Sequence, residues 1–173
     1  GFVGVSVGYR FAPQFKWPAQ IQDVKTAVQY LRAHAGELNI DPTRIGAMGE
    51  SAGGYLALML GVTSPDDGLE PQNEYTNPSN VQAVVSFVSA TDFTLPGLPL
   101  TPALEAEMQQ YYKKSLKEVR TDFTGASGPD DPILKKISVL SYVDKTDPPV
   151  LMFYGDIDPI VSIEHAYRLE LAL

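Results

Sequence analysis

One stretch constrains this chain more than any other: Arg44-Ile45-Gly46-Ala47-Met48-Gly49-Glu50-Ser51-Ala52-Gly53-Gly54, followed by Tyr55-Leu56-Ala57-Leu58-Met59-Leu60. It reads as a short apolar strand, a tight turn centred on a serine, and a buried helix. A strand that reverses directly into a helix forces the turn residue into a strained backbone conformation and brings its neighbours' backbones close together. The absence of a side chain at Gly49 and Gly53 is expected to permit this, with Glu50 and Gly54 completing the turn. Ser51 then stands at the start of a helix whose first N–H groups are free to face a developing negative charge. G-x-S-x-G on its own is common; between an apolar strand and an apolar helix it marks a nucleophile elbow. Ser51 is the candidate nucleophile.

The 173 residues are enough for about one domain with a substantial core. Thirteen basic against 21 acidic residues give a net charge of −8. That argues against nucleic acid or an anionic membrane as partner, and leaves a neutral ester or sugar ligand open. The densest basic cluster, Lys113, Lys114, Lys117 and Arg120, is expected on the solvated face of a helix. Without cysteine the chain has no disulfide, no thiolate nucleophile and no zinc–thiolate site. No transmembrane run or signal-peptide pattern is present, and a cytoplasmic or a secreted setting both remain open. The chain opens on Gly1-Phe2-Val3-Gly4-Val5-Ser6-Val7-Gly8-Tyr9, an alternating pattern that reads as a core strand. Both ends therefore look cut, and the true N-terminus is expected upstream.

After that segment, Ile21, Val24, Val28, Leu31 and Ala35 recur at helical spacing behind Pro18, a residue suited to a first helical position, and the helix should end at Gly36. Arg44 to Gly49 forms the strand into the turn, and residues 52–62 form the buried helix. Residues 63–80, rich in proline, acid and asparagine, read as a loop and a surface excursion. Val81 to Ala90 and Val150 to Tyr154 are two further strands. A helix is expected from about Ala103 to Val119, and another from Ile163 to Leu173. Strands alternating with helices predict an α/β fold, a mostly parallel sheet covered by helices on both faces. Residues 1–173 are expected to form a single domain, with 95–137 as an insertion between strands.

A serine hydroxyl needs a base to take its proton and an acid to orient that base. In open α/β sheets, reacting groups gather at the carboxyl ends of strands. The acids following strands are Asp158 and Asp156 after residues 150–154, and Asp92 after 81–90; Asp158, where Pro159 turns the chain sharply, is favoured, and Asp92 also suits a turn cap. The base is harder to place. His34 lies near a helix end, where the dipole favours an imidazole, and His165 follows Asp158 on a helix leading away from the strand end. Neither fits the role well.

Five motifs occur in order at sensible spacing: Tyr9-Arg10-Phe11-Ala12-Pro13, Trp17-Pro18-Ala19-Gln20-Ile21-Gln22-Asp23-Val24, Asp41-Pro42-Thr43-Arg44-Ile45, Gly49-Glu50-Ser51-Ala52-Gly53-Gly54 and Tyr154-Gly155-Asp156-Ile157-Asp158-Pro159. As a set, the chain resembles the α/β-hydrolases of the hormone-sensitive-lipase-like and feruloyl/acetyl-xylan-esterase-like group. The resemblance implies Ser51 as nucleophile, Asp158 as triad acid, the Ala52 N–H as an oxyanion donor and Glu50 as the elbow acid. Tyr154 stands where the family usually has histidine, a departure outside the triad. The family's His-Gly-Gly loop would precede residue 1, and its catalytic histidine would follow Leu173. The strand before that loop would lie between residues 2–9 and 44–49, leaving a gap in the sheet without it.

The resemblance thus implies a serine hydrolase acting on carboxylic esters, of short acyl chains or attached to carbohydrate, with no metal or organic cofactor. Residues 1–173 alone are expected to be inactive. The competing readings are a hydrolase-like binding module without activity and a peptidase of the same fold. Tyr111, Tyr112 and Phe123 in the insertion either line a substrate pocket or pack the insertion onto the body. No oligomeric state follows from the sequence.

Overall fold

Three parallel strands, Gly46–Glu50 (β1), Ala83–Phe87 (β2) and Val150–Phe153 (β3), stand side by side in that order in the computed structural model, which describes residues 1–173. The register sets Met48 beside Val85 and Leu151, and Glu50 beside Phe87 and Phe153. Parallel neighbours need long crossovers. The first carries the helix Ala52–Val62; the second carries everything from residue 88 to residue 149. Numbered in chain order, the helices are Ala19–Ala33 (α1), Ala35–Leu38 (α2), Ala52–Val62 (α3), Pro102–Tyr112 (α4), Leu116–Thr124 (α5), Ile133–Lys136 (α6) and Glu164–Ala172 (α7).

The core lies on the sheet face that bears Ala47, Val84, Val150 and Met152. Ile21, Val24 and Val28 of α1 meet Tyr55, Leu56, Leu58 and Met59 of α3 over Val84, and Val139 and Leu169 close the cluster. Leu58 and Met59 are fully buried, and each contributes about 1.5–3 kcal/mol through removal from water. The alternate residues of the strands face the other way. Met48 is 75% exposed, Leu151 53% and Phe153 46%. The α/β fold and parallel sheet are as the sequence predicts; the helical cover lies on one face.

Three expectations are corrected. Residues 1–9 do not form a strand: Phe2, Val3 and Val5 are exposed and no ladder reaches them, since β1 pairs only with β2. Alternation gives a segment the face of a strand, but only a partner edge makes it one. The helix expected over 103–119 is two helices. Lys113 turns left-handed at φ 60°, and Ser115 opens α5 with a capping box in which Glu118 answers its N–H.

The loop 63–80 is no free excursion. Lys25, fully buried on α1, donates to Glu70 at 2.6 Å and to Ser79 at 3.0 Å. Gln29 donates to the same carboxylate, and Arg32 donates to the carbonyls of Pro42 and Pro78. One side of α1 is thus apolar against α3, and another is a polar seam that fastens the loop.

Candidate active site

Ser51 sits between β1 and α3 with φ 51° and ψ −118°. This is a positive-φ conformation that glycine takes readily and other residues only under strain. The strained residue is held from both sides. Its N–H donates to the Phe87 carbonyl at 2.8 Å, and its carbonyl accepts the Tyr55 N–H at 2.9 Å, the first full turn of α3. The hydroxyl makes no capping bond to the helix and is exposed. Ala52 occupies the first position of α3, where an N–H has no carbonyl one turn behind it.

The glycines divide differently from expectation. A Cβ on Gly49 would stand 2.3 Å from the Gly53 carbonyl carbon, and one on Gly54 would stand 2.2 Å from Ser89 Oγ. A Cβ on Gly53 would meet nothing within 4 Å. The close approach therefore needs Gly49 and Gly54; Gly53 contributes its backbone and not its missing side chain. Glu50 ends β1 exposed, beside Phe87 in the register.

Asp158 follows β3 at the same carboxyl edge of the sheet that bears Ser51. Its Oδ1 accepts the N–H groups of Ile160 and Val161 at 2.8 and 2.9 Å, and its Oδ2 has no partner. One oxygen is fixed by the turn and the other is free to orient a donor. Asp156 is exposed on the same loop. Asp92 is used up. Its Oδ1 accepts the Thr94 N–H and its Oδ2 the Arg168 guanidinium at 2.8 Å. Burial pushes its carboxyl up, but the bonds from Thr94 and Arg168 outweigh that and hold it below the usual range. That is the turn-cap alternative, realised.

Neither histidine touches Ser51 or Asp158. His34 pairs through Nδ1 with Glu37 at 3.2 Å and packs on Tyr30. His165 Nδ1 accepts the N–H groups of Thr91 and Asp92 at 3.3 Å each, which fixes it as an acceptor. Burial lowers its pKa despite the nearby Asp92 carboxylate.

Two residues join this region in ways the sequence reading missed. Tyr154 donates its hydroxyl to the Ser89 carbonyl at 2.6 Å. Arg120, expected on a solvated face, is half-buried and donates to the carbonyls of Phe93 and Leu95. Phe123 stacks edge-on against Tyr55 and packs on Phe93, both at 5.8 Å, so it fastens α5 to the core. Tyr111 and Tyr112 remain exposed at the end of α4. No cluster of three or more His, Cys, Asp or Glu side chains is placed to hold a metal, and no helix is long and apolar enough to cross a membrane.

A strained serine between a parallel strand and a buried helix, with an acid at the same sheet edge, defines a protein of α/β-hydrolase type. The BD-FAE family profile matches residues 1–173, and the chain belongs to that family. It is 28% identical over 166 residues to Esterase LipC of Mycobacterium tuberculosis, covering 96% of this chain and 39% of that protein. It is also 28% identical over 173 residues to Esterase LipQ of the same organism, covering 100% of this chain and 38% of the relative. Among solved structures, a truncated form of a carbohydrate esterase from gut microbiota superposes with a TM-score of 0.71 at 30% identity, over 96% of this chain and 59% of that one. The chain thus spans less than half the length of these two curated relatives.

Proposed function

We propose that the protein hydrolyses carboxylic esters through an acyl-enzyme on Ser51. The observation that carries this reading is the backbone of Ser51, φ 51° and ψ −118°, a strained conformation that keeps an unbonded hydroxyl at the carboxyl edge of the sheet. Membership of the BD-FAE family and likeness to esterases support it. In the proposed reaction Ser51 Oγ attacks the ester carbonyl and its proton passes to a histidine. The C–O bond to the alcohol then breaks, and the histidine returns the proton to the departing alcohol. Water, activated by the same base, releases the acid and restores the serine.

Asp158 orients that histidine through its free Oδ2. The base is neither His34 nor His165, both engaged elsewhere, and is supplied from another part of the protein. The Ala52 N–H is one donor to the tetrahedral oxyanion, a contact worth about 3 kcal/mol of transition-state stabilisation. Short acyl esters and esters attached to carbohydrate are the proposed substrates, in keeping with the carbohydrate esterase likeness. The test is turnover of p-nitrophenyl esters from acetate to octanoate and of methyl ferulate by the full-length protein, with fluorophosphonate labelling. Hydrolysis and labelling that both vanish in Ser51→Ala are expected; turnover that survives Ser51→Ala refutes the reading.

A further inference from the structure

The exit of β2 stands between the strands that lead to Ser51 and Asp158, and hydrogen bonds run from it to both. The Phe87 carbonyl holds the Ser51 N–H, and the Val88 N–H donates to the Phe153 carbonyl at 2.9 Å. Val88 itself lies at φ 51°, a backbone conformation that a β-branched residue adopts only when its surroundings impose it. Ser89, the next residue, is completely buried. Its Oγ lies 2.6 Å from Ser86 Oγ and fills the space beside Gly54 of the nucleophile helix. Its carbonyl is therefore a fixed point, tied to the elbow, and it accepts the Tyr154 hydroxyl.

Beyond Phe153 the ladder ends; the far end of the Asp158 turn is tied through α7, where His165 and Arg168 bond Thr91 and Asp92, and its near end depends on Tyr154. The bonds of Asp158 run forward to Ile160 and Val161, within the turn. Asp156 and Ile157 are exposed. The Tyr154 hydroxyl is the one side-chain hydrogen bond that joins residues 154–161 to β2 and its exit.

We propose that Tyr154 is a positioning residue: its bond to the Ser89 carbonyl sets where the Asp158 turn leaves the sheet relative to Ser51. This rests on the roles given to Ser51 and Asp158 above. Misplacing a reacting group by a fraction of its contact distance costs turnover and leaves substrate binding largely intact. Burial raises the Tyr154 phenol to about 12, so the donor persists across the pH range of an ester assay.

The experiment compares wild type, Tyr154→Phe, Asp158→Asn and the double variant in the full-length protein. Steady-state kinetics on p-nitrophenyl acetate and the rate of fluorophosphonate labelling are read together, since labelling stays measurable when turnover is slow. Tyr154→Phe is expected to lower kcat and the labelling rate about tenfold with KM within about twofold, its melting temperature being recorded alongside. In the Asp158→Asn background the same change is expected to alter labelling by less than about twofold, because the turn then carries no charge to aim. A wild-type kcat in Tyr154→Phe, or an equal fold-loss in both backgrounds, overturns the proposal. Ester turnover that persists in Ser51→Ala overturns instead the reading on which it rests.

Discussion

Gly49 and Gly54 face each other across the serine turn, each denied a Cβ by atoms 2.2–2.3 Å from where it would stand, while Gly53 beside them has open space. The obstacle at Gly49 is backbone, which cannot step aside, and at Gly54 it is the Ser89 hydroxyl in a buried pair. Gly49→Ala and Gly54→Ala are expected to lower unfolding stability by about 1–3 kcal/mol, the usual range for overpacking. Gly53→Ala should leave stability unchanged or raise it by up to about 1 kcal/mol through better helix propensity. Urea titration of the three variants checks this, and a Gly53→Ala more damaging than the others contradicts it. His165 gives a pH prediction at the same scale. Its folded pKa lies below its ordinary value, mainly through burial, so the unfolded chain takes up the proton first. The contribution is complete above about pH 6.5 and is lost as pH falls through that value towards the depressed one. Stability of the wild type from pH 8 to 5 should fall more steeply than that of His165→Asn, which keeps an acceptor and does not titrate; equal slopes contradict the account.

The two longer helices between β2 and β3 are held very differently. α5 is fastened by Arg120 to the carbonyls of Phe93 and Leu95 and by Phe123 against Tyr55, whereas α4 has no buried residue at all. Arg120→Met is therefore expected to loosen residues 96–113 from the body. Chymotryptic cleavage at Tyr111 and Tyr112 should quicken several-fold with the sheet intact, because local opening has become easier; an unchanged rate contradicts the role of Arg120. Elements also show what the sequence could disclose. The spacing of Ile21, Val24 and Val28 exposes the apolar face of α1, and the apolar run after Ser51 exposes α3, because both bury a single continuous surface. The break at Lys113 was written in Ser115-x-x-Glu118, a capping signal easily passed over inside an otherwise helical pattern. The seam from Lys25 to Glu70 and Ser79 was not legible, since partners 45 and 54 residues apart leave no local periodicity. Residues 1–9 carry the alternation of a strand, and pairing depends on a neighbour that alternation does not supply.

For the molecule as a whole, parallel strands aim their carboxyl ends at one edge, and that rule alone brings Ser51 after β1 and Asp158 after β3 to the same side of the sheet. This shared edge of the candidate site was legible from strand, turn and acid in sequence. What the rule does not supply is the division of labour among the acids, since Asp92 and Asp158 both follow strands. Packing supports the proposed choice: Arg168 and Thr94 occupy both oxygens of Asp92, and Asp158 keeps Oδ2 open. Nor does it reveal Tyr154, whose contact with Ser89 crosses 65 residues. In the proposed reaction Ser51 is served by Asp158 and not by Asp92. The most direct test is the kcat of Asp158→Asn and Asp92→Asn on a short-chain ester, measured side by side in the full-length protein with folding verified by circular dichroism. Asp158→Asn should lose turnover by about 10⁴-fold, as when the orienting acid of a triad is neutralised, while Asp92→Asn stays within about tenfold of wild type. A crippled Asp92→Asn beside a nearly normal Asp158→Asn contradicts the account.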